Sequence, residues 1–179
     1  MNNNGLSDFH RPRKKYRAFR SYWAAMGGWA ELANSPWLGF ALLLTIVLYP
    51  LWSKVEDGEF NWLSIPINTI PSLLGFSIGA SAILLGFSSG PKKALHKQRG
   101  GASYYLKLLA SFFHFSLLQF AAFILALVTM SYPSSVLSGL SFLVYSYSIF
   151  SGIGSASMIF TVSEIFDKHE RQVSEKDNP

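Results

Sequence analysis

The stretch Pro66–Gly90 reads PINTIPSLLGFSIGASAILLGFSSG. It carries no charge and, wound as a helix, is long enough to cross a bilayer. Ser72, Gly75, Gly79, Ala82, Gly86 and Ser89 recur along it at spacings of 3, 4, 3, 4 and 3, which places them on one seam of a helix. Each glycine inside a helix costs about 1 kcal/mol relative to alanine. Close approach of a second backbone offsets that cost in lipid, where small residues let helices pack tightly. The seam predicts a helix–helix contact surface.

Outward from this stretch, the whole chain reads as a membrane protein. Its 179 residues are 50% hydrophobic and 16% aromatic but only 14% charged, where a soluble domain carries nearer a quarter. The charges are also segregated: none lies from Phe60 to Pro91 or from Leu108 to Ser163. A lone lysine or arginine at the centre of a span costs about 2.5–3.5 kcal/mol on the insertion scale, so the gaps are meaningful. The fold class expected is an all-α integral membrane protein with four transmembrane helices and an N-terminal interfacial helix.

In chain order, residues 1–35 form a basic cytoplasmic arm, 36–166 a four-helix transmembrane domain, and 167–179 a cytoplasmic tail that frays. The N-terminal segment has no apolar core ahead of a cleavage site, which argues against a cleaved signal peptide. Lys14–Asn34 is expected to lie helically on the membrane surface, with Tyr16, Phe19, Trp23, Met26 and Ala30 on one side. The Gly27-Gly28 pair weakens that helix. Asn34-Ser35-Pro36 is a helix-start signal. It introduces a first span over 37–52, with Trp37 and Trp52 as interfacial anchors and Pro50 bending its far end. Further spans follow over 65–88, 104–130 and 136–163, the last continuing helically to about Phe166. The phenylalanines of the third span (Phe112, Phe113, Phe115, Phe120, Phe123) suggest a lipid-facing helix.

Counting charges orients the chain. Arg11, Arg13, Lys14, Lys15, Arg17, Arg20, Lys92, Lys93, Lys97, Arg99, Lys107, Lys168, Arg171 and Lys176 share one side of a four-span layout, and Lys54 stands alone on the other. The positive-inside rule then puts both termini in the cytoplasm, the expected location being a bacterial inner membrane. The net charge of +5 follows from this orientation signal, so no direct nucleic-acid partner is expected. Arg11 to Arg20 as numbered above, with Lys92, Lys93, Lys97 and Arg99, are the candidates for contact with a cytoplasmic protein or with lipid headgroups.

Candidate chemistry is sparse. There is no cysteine, hence no disulfide or thiolate site. HExxH, a phosphate-binding loop and a dinucleotide fingerprint are all missing. Glu164, Asp167, His169 and Glu170 read as a solvated helix end ahead of a metal site. No cofactor, metal or catalytic residue is expected. The intramembrane polar candidates are His114 and Gln119. For His114, an interfacial or structural role, facing headgroups or hydrogen-bonding a nearby serine, is weighed ahead of a proton or gating role. Ser138, Ser141, Ser148, Gly152 and Ser155 give the fourth span its own small-residue face, interrupted by Tyr145. Such a face either cements helices or lines a narrow pore; packing is the favoured reading. The expected seam therefore comprises Ser72, Gly75, Gly79, Ala82, Gly86, Ser148, Gly152 and Ser155.

The arm Arg11-Pro-Arg-Lys-Lys15, the Pro71-Ser-Leu-Leu-Gly75 run and the Gly75/Gly79/Gly86 seam resemble the small four-span membrane subunits of bacterial anti-phage defence systems, the Kiwa membrane component in particular. The resemblance covers most of the chain in layout and carries over no site residue. It implies an inner-membrane homo-oligomer that senses membrane perturbation and recruits a cytoplasmic partner. The function expected is thus a non-enzymatic sensor or anchor subunit that self-associates, a tetramer being one stoichiometry, and holds a cytoplasmic protein. The alternative is a pore or ion-channel-forming effector.

Overall fold

The computed structural model describes residues 17–55, 59–86 and 104–177. Of these, 91% are helical, and no strand forms among them. Two short helices open the chain, α1 (Arg17–Ala25) and α2 (Gly28–Ala33), followed by α3 (Pro36–Val47) and α4 (Tyr49–Ser53). A 3-10 turn at Asn61–Leu63 leads into α5 (Ser64–Gly86), and the chain closes with α6 (Tyr104–Ser131) and α7 (Ser135–Asp177).

Three stretches are long and apolar enough to cross a membrane: Asn61–Gly86, Tyr104–Ser131 and Ser135–Glu164. The expected first span differs. α3 has only 12 residues, about 18 Å at the helical rise, and the chain breaks at Leu48 before resuming as α4. Pro50 accounts for the break: it lacks an N–H and its ring crowds the preceding turn, so it is accommodated in the first turn of α4. Pro36 likewise sits at the start of α3, where a fixed φ is favourable. At the other extreme α7 runs for 43 residues, about 65 Å. It passes the expected limit near Phe166 and takes up most of the tail.

α6 and α7 form an antiparallel hairpin around a turn at Tyr132–Ser134. α5 packs on α6 and α3 packs on α7. α3 runs antiparallel to α7, since Phe40 meets Phe150 while Trp37 lies at Gly154 and Trp52 at Gly139. One cluster, at the end of the bundle bearing the turn, joins Phe60, Trp62, Leu63, Ala126 and Phe142. A second cluster, toward the end where α6 begins, joins Leu84, Leu108, Phe112 and Val162. The third expected span is therefore not simply a lipid-facing helix. Phe112 and Phe115 are core residues, while Phe113 and Phe120 face outward, because α6 is clasped between α5 and α7.

Serine and threonine hydroxyls tie these helices together. Thr129 Oγ1 and Ser141 Oγ are 2.7 Å apart, Ser111 and Ser155 Oγ 2.8 Å, and Ser77 and Ser116 Oγ 2.9 Å. Ser138 donates to the Trp52 carbonyl at 2.6 Å and accepts from Trp62 Nε1 at 2.9 Å. In an apolar surrounding each such bond satisfies groups that water cannot reach.

Three glycines of α7 are receptors for aromatic rings. A Cβ on Gly152 would stand 2.7 Å from the Phe115 ring, one on Gly154 2.7 Å from Trp37 Nε1, and one on Gly139 3.0 Å from the Trp52 ring. Trp37 and Trp52, expected as interfacial anchors, are thus knobs seated in α7. They mark the two ends of the α3–α4 contact, 15 residues of α7 apart in sequence, about 22 Å along a helix.

Candidate functional site

The arm folds back because two glycines reverse it. Gly27 and Gly28 hold φ of 79° and 74°, a left-handed region that glycine enters at little cost. They split the expected Lys14–Asn34 helix into α1 and α2, and α1 comes to rest on α6. The face it presents is rotated from the expected one. Tyr22, absent from that face, is only 7% exposed, whereas Phe19 is 55% exposed. Tyr22 packs edge-on against Phe113, ring centroids 5.0 Å apart.

Beneath the arm lies a buried histidine. Tyr22 Oη is 2.6 Å from His114 Nδ1, and Tyr147 Oη is 3.3 Å from His114 Nε2. A neutral imidazole accepts at one nitrogen and donates at the other, so the two tyrosines complete its hydrogen bonding. Burial, with Tyr147 adding to it, pushes the Tyr22 hydroxyl above its ordinary pKa. His114 therefore meets neither a serine nor open headgroups; it joins three elements, α1, α6 and α7. The sequence singled out His114 but not its tyrosine partners, which come from positions 92 and 33 residues away.

This network floors a cleft of about 230 Å³, with Trp23, Glu31 and Trp37 on its walls. A neighbouring cleft of about 480 Å³ shares Glu31 and Met26 and is bordered by Lys107, Ser111 and Met158. Among the described residues, no group of three or more His, Asp or Glu side chains converges on a point.

Gln119 stands deeper in the bundle. It is fully buried, and among the described residues neither its amide nitrogen nor its oxygen has a hydrogen-bond partner; the buried Ser146 hydroxyl has none among them either. His114 and Gln119 belong to separate environments, one paired and one not.

The two halves of the expected seam face different ways. Ser148 and Ser155 are buried, Gly152 is half-buried, and all lie inside the single chain. Ser148 donates to the Tyr145 carbonyl at 2.7 Å, Ser155 pairs with Ser111, and Gly152 receives Phe115. Ser72, Gly75, Gly79, Ala82 and Gly86 are exposed, and among the described residues, the helix's own nearby backbone aside, no atom lies within 4 Å of a Cβ placed on any of the three glycines. Beside them Phe76 is 65% and Ile83 67% exposed.

Of the basic candidates, Arg11, Arg13, Lys14, Lys15, Lys92, Lys93, Lys97 and Arg99 lie outside the described residues, Arg17 opens α1, and Arg20 is exposed on it. What fold and site define together is a helical bundle of membrane-protein composition with a docked N-terminal arm. No protein-family model, no curated protein and no solved structure matches the chain.

Proposed function

We propose that this chain is a non-enzymatic inner-membrane subunit that self-associates through the outer face of α5 and holds a cytoplasmic protein on its basic side. The observation that carries the proposal is the open small-residue face: Gly75, Gly79 and Gly86 meet no other described residue, while the comparable face of α7 is filled by α6. A flat strip of this kind between exposed large residues matches the way transmembrane helices associate. Four spans with both termini cytoplasmic complete the proposal. α3 and α4 supply the remaining span, because together they follow α7 antiparallel from Gly154 to Gly139. The charge asymmetry supplies the orientation. A role in phage defence rests on the resemblance to the Kiwa membrane component alone.

Replacing Gly79 by Leu tests self-association. The wild type is expected to migrate as an oligomer on native gels and the variant as a single chain; an unchanged oligomer refutes the proposal. Neutralising Lys92, Lys93, Lys97 and Arg99 is expected to release a co-purifying cytoplasmic protein, and retention would assign those charges to orientation only.

A pore is the second reading, favoured by the unpartnered Gln119 and Ser146 groups in the bundle interior. Along the Ser138–Ser155 face α6 meets Ser141, Gly152 and Ser155 while Trp52 and Trp62 hold Ser138, so a channel lined by it requires these contacts to separate. Reconstitution into planar bilayers tests this reading, and silence under voltage counts against it.

A further inference from the structure

The two clefts flanking Glu31 lie where α6 passes from its charged first turn at Lys107 into its apolar length. Glu31 is the only acidic residue between Asp8 and Glu56. It is exposed and forms no ion pair with a described residue, although it borders both clefts. Around the smaller cleft stand Tyr22, Trp23, Trp37 and Tyr147. Aromatic rings beside a carboxylate attract an organic ammonium, through cation–π and charge interactions that strengthen as water is excluded. Around the larger cleft stands Lys107, of opposite sign to Glu31 yet not within ion-pair distance of it. Two opposite charges that border one cleft without pairing match a ligand carrying both signs.

We propose that these clefts form one site for a zwitterionic phosphoamine. Its ammonium sits by Glu31 among the aromatic rings, and its phosphate lies toward Lys107. The position at the start of an apolar helix favours an ethanolamine phospholipid headgroup as the source over a free phosphoamine. Because α1 and α2 form one wall and α6 and α7 the other, an occupied site fastens the arm to the bundle. The proposal rests on the chain lying in a membrane and is independent of self-association.

The test uses the full chain in nanodiscs of phosphatidylglycerol mixed with an equal share of phosphatidylethanolamine, with retained lipids read by native mass spectrometry. Wild type is expected to keep one phosphatidylethanolamine at least tenfold in preference to phosphatidylglycerol. Glu31→Gln should abolish that preference, Glu31→Asp should restore most of it, and Lys107→Gln should lower retention of both lipids. Thermal melting verifies that each variant is folded. In nanodiscs of phosphatidylglycerol alone, added phosphoethanolamine that binds the wild type but not Glu31→Gln supports the same site with a soluble source. A wild type that incorporates into nanodiscs yet shows no preference in either arm overturns the site and leaves the membrane reading intact. Loss of lipid retention in Lys107→Gln while Glu31→Gln behaves as wild type overturns the zwitterionic assignment, since it leaves an anion site only.

Discussion

Tyr22 Oη stands 2.6 Å from His114 Nδ1 across 92 residues of chain, and this bond fastens the N-terminal arm to α6. Replacing Tyr22 by Phe removes the hydroxyl and leaves a buried ring nitrogen without this partner. A neutral hydrogen bond is worth about 1 kcal/mol net, so the undocked fraction of the arm should rise roughly fivefold. Trypsin cleavage at Arg20 is the measurement, with faster cutting in the variant as the expected outcome.

The same bond gives the arm an alkaline limit. Burial first, and Tyr147 second, raise the Tyr22 pKa above its ordinary 10.0. The docked arm thus binds the proton more tightly than the undocked one. Docking is at full strength below the ordinary value and weakens as pH rises through the raised one. Arm tryptophan emission should therefore change above about pH 10 in the wild type. Tyr22→Phe should lack that component.

Glycines of α5 and α7 should respond oppositely to one methyl group. Gly152→Ala drives a Cβ to 2.7 Å from the Phe115 ring, and Gly154→Ala does the same to Trp37. Overpacking of this kind costs about 1–3 kcal/mol. Gly79→Ala meets nothing in the single chain and gains about 1 kcal/mol of helix propensity. Melting of the monomer in detergent should fall for the first two variants and hold or rise for the third.

Gln119 buries an amide with no partner among the described residues, which costs about 1–3 kcal/mol in mutational series. Gln119→Leu should raise the melting temperature. If Gln119 serves ion passage instead, the variant should alter conductance in reconstituted bilayers, so the two assays separate the roles.

The long helices were legible in the sequence because uncharged apolar runs record burial in any apolar medium. α5 and α6 fall within two residues of the expected 65–88 and 104–130. α7 starts one residue before the expected 136 and overruns 163. Trp37 and Trp52 satisfy an interfacial pattern in sequence while occupying glycine hollows on α7, a pairing that only three-dimensional contact reveals. The orientation of α1 was equally hidden. Tyr22 is buried because it meets His114, and nothing local distinguishes it from Phe19 three residues earlier. Small residues recur at helical spacing on both α5 and α7. Periodicity does not say whether the partner belongs to the same chain, and the two faces answer differently.

Self-association through α5 can be read directly in native membranes. The chain has no cysteine, so Ala82→Cys introduces a single thiol on the exposed face and Ser148→Cys a buried control. Helices in close contact bring facing Cα atoms within the roughly 4.4–6.8 Å that a disulfide requires. Oxidation should convert Ala82→Cys to a covalent dimer and leave Ser148→Cys monomeric, and adding Gly79→Leu to the first should abolish its dimer. A monomer band alone for Ala82→Cys, or a dimer that Gly79→Leu leaves unchanged, would contradict an assembly built on this helix.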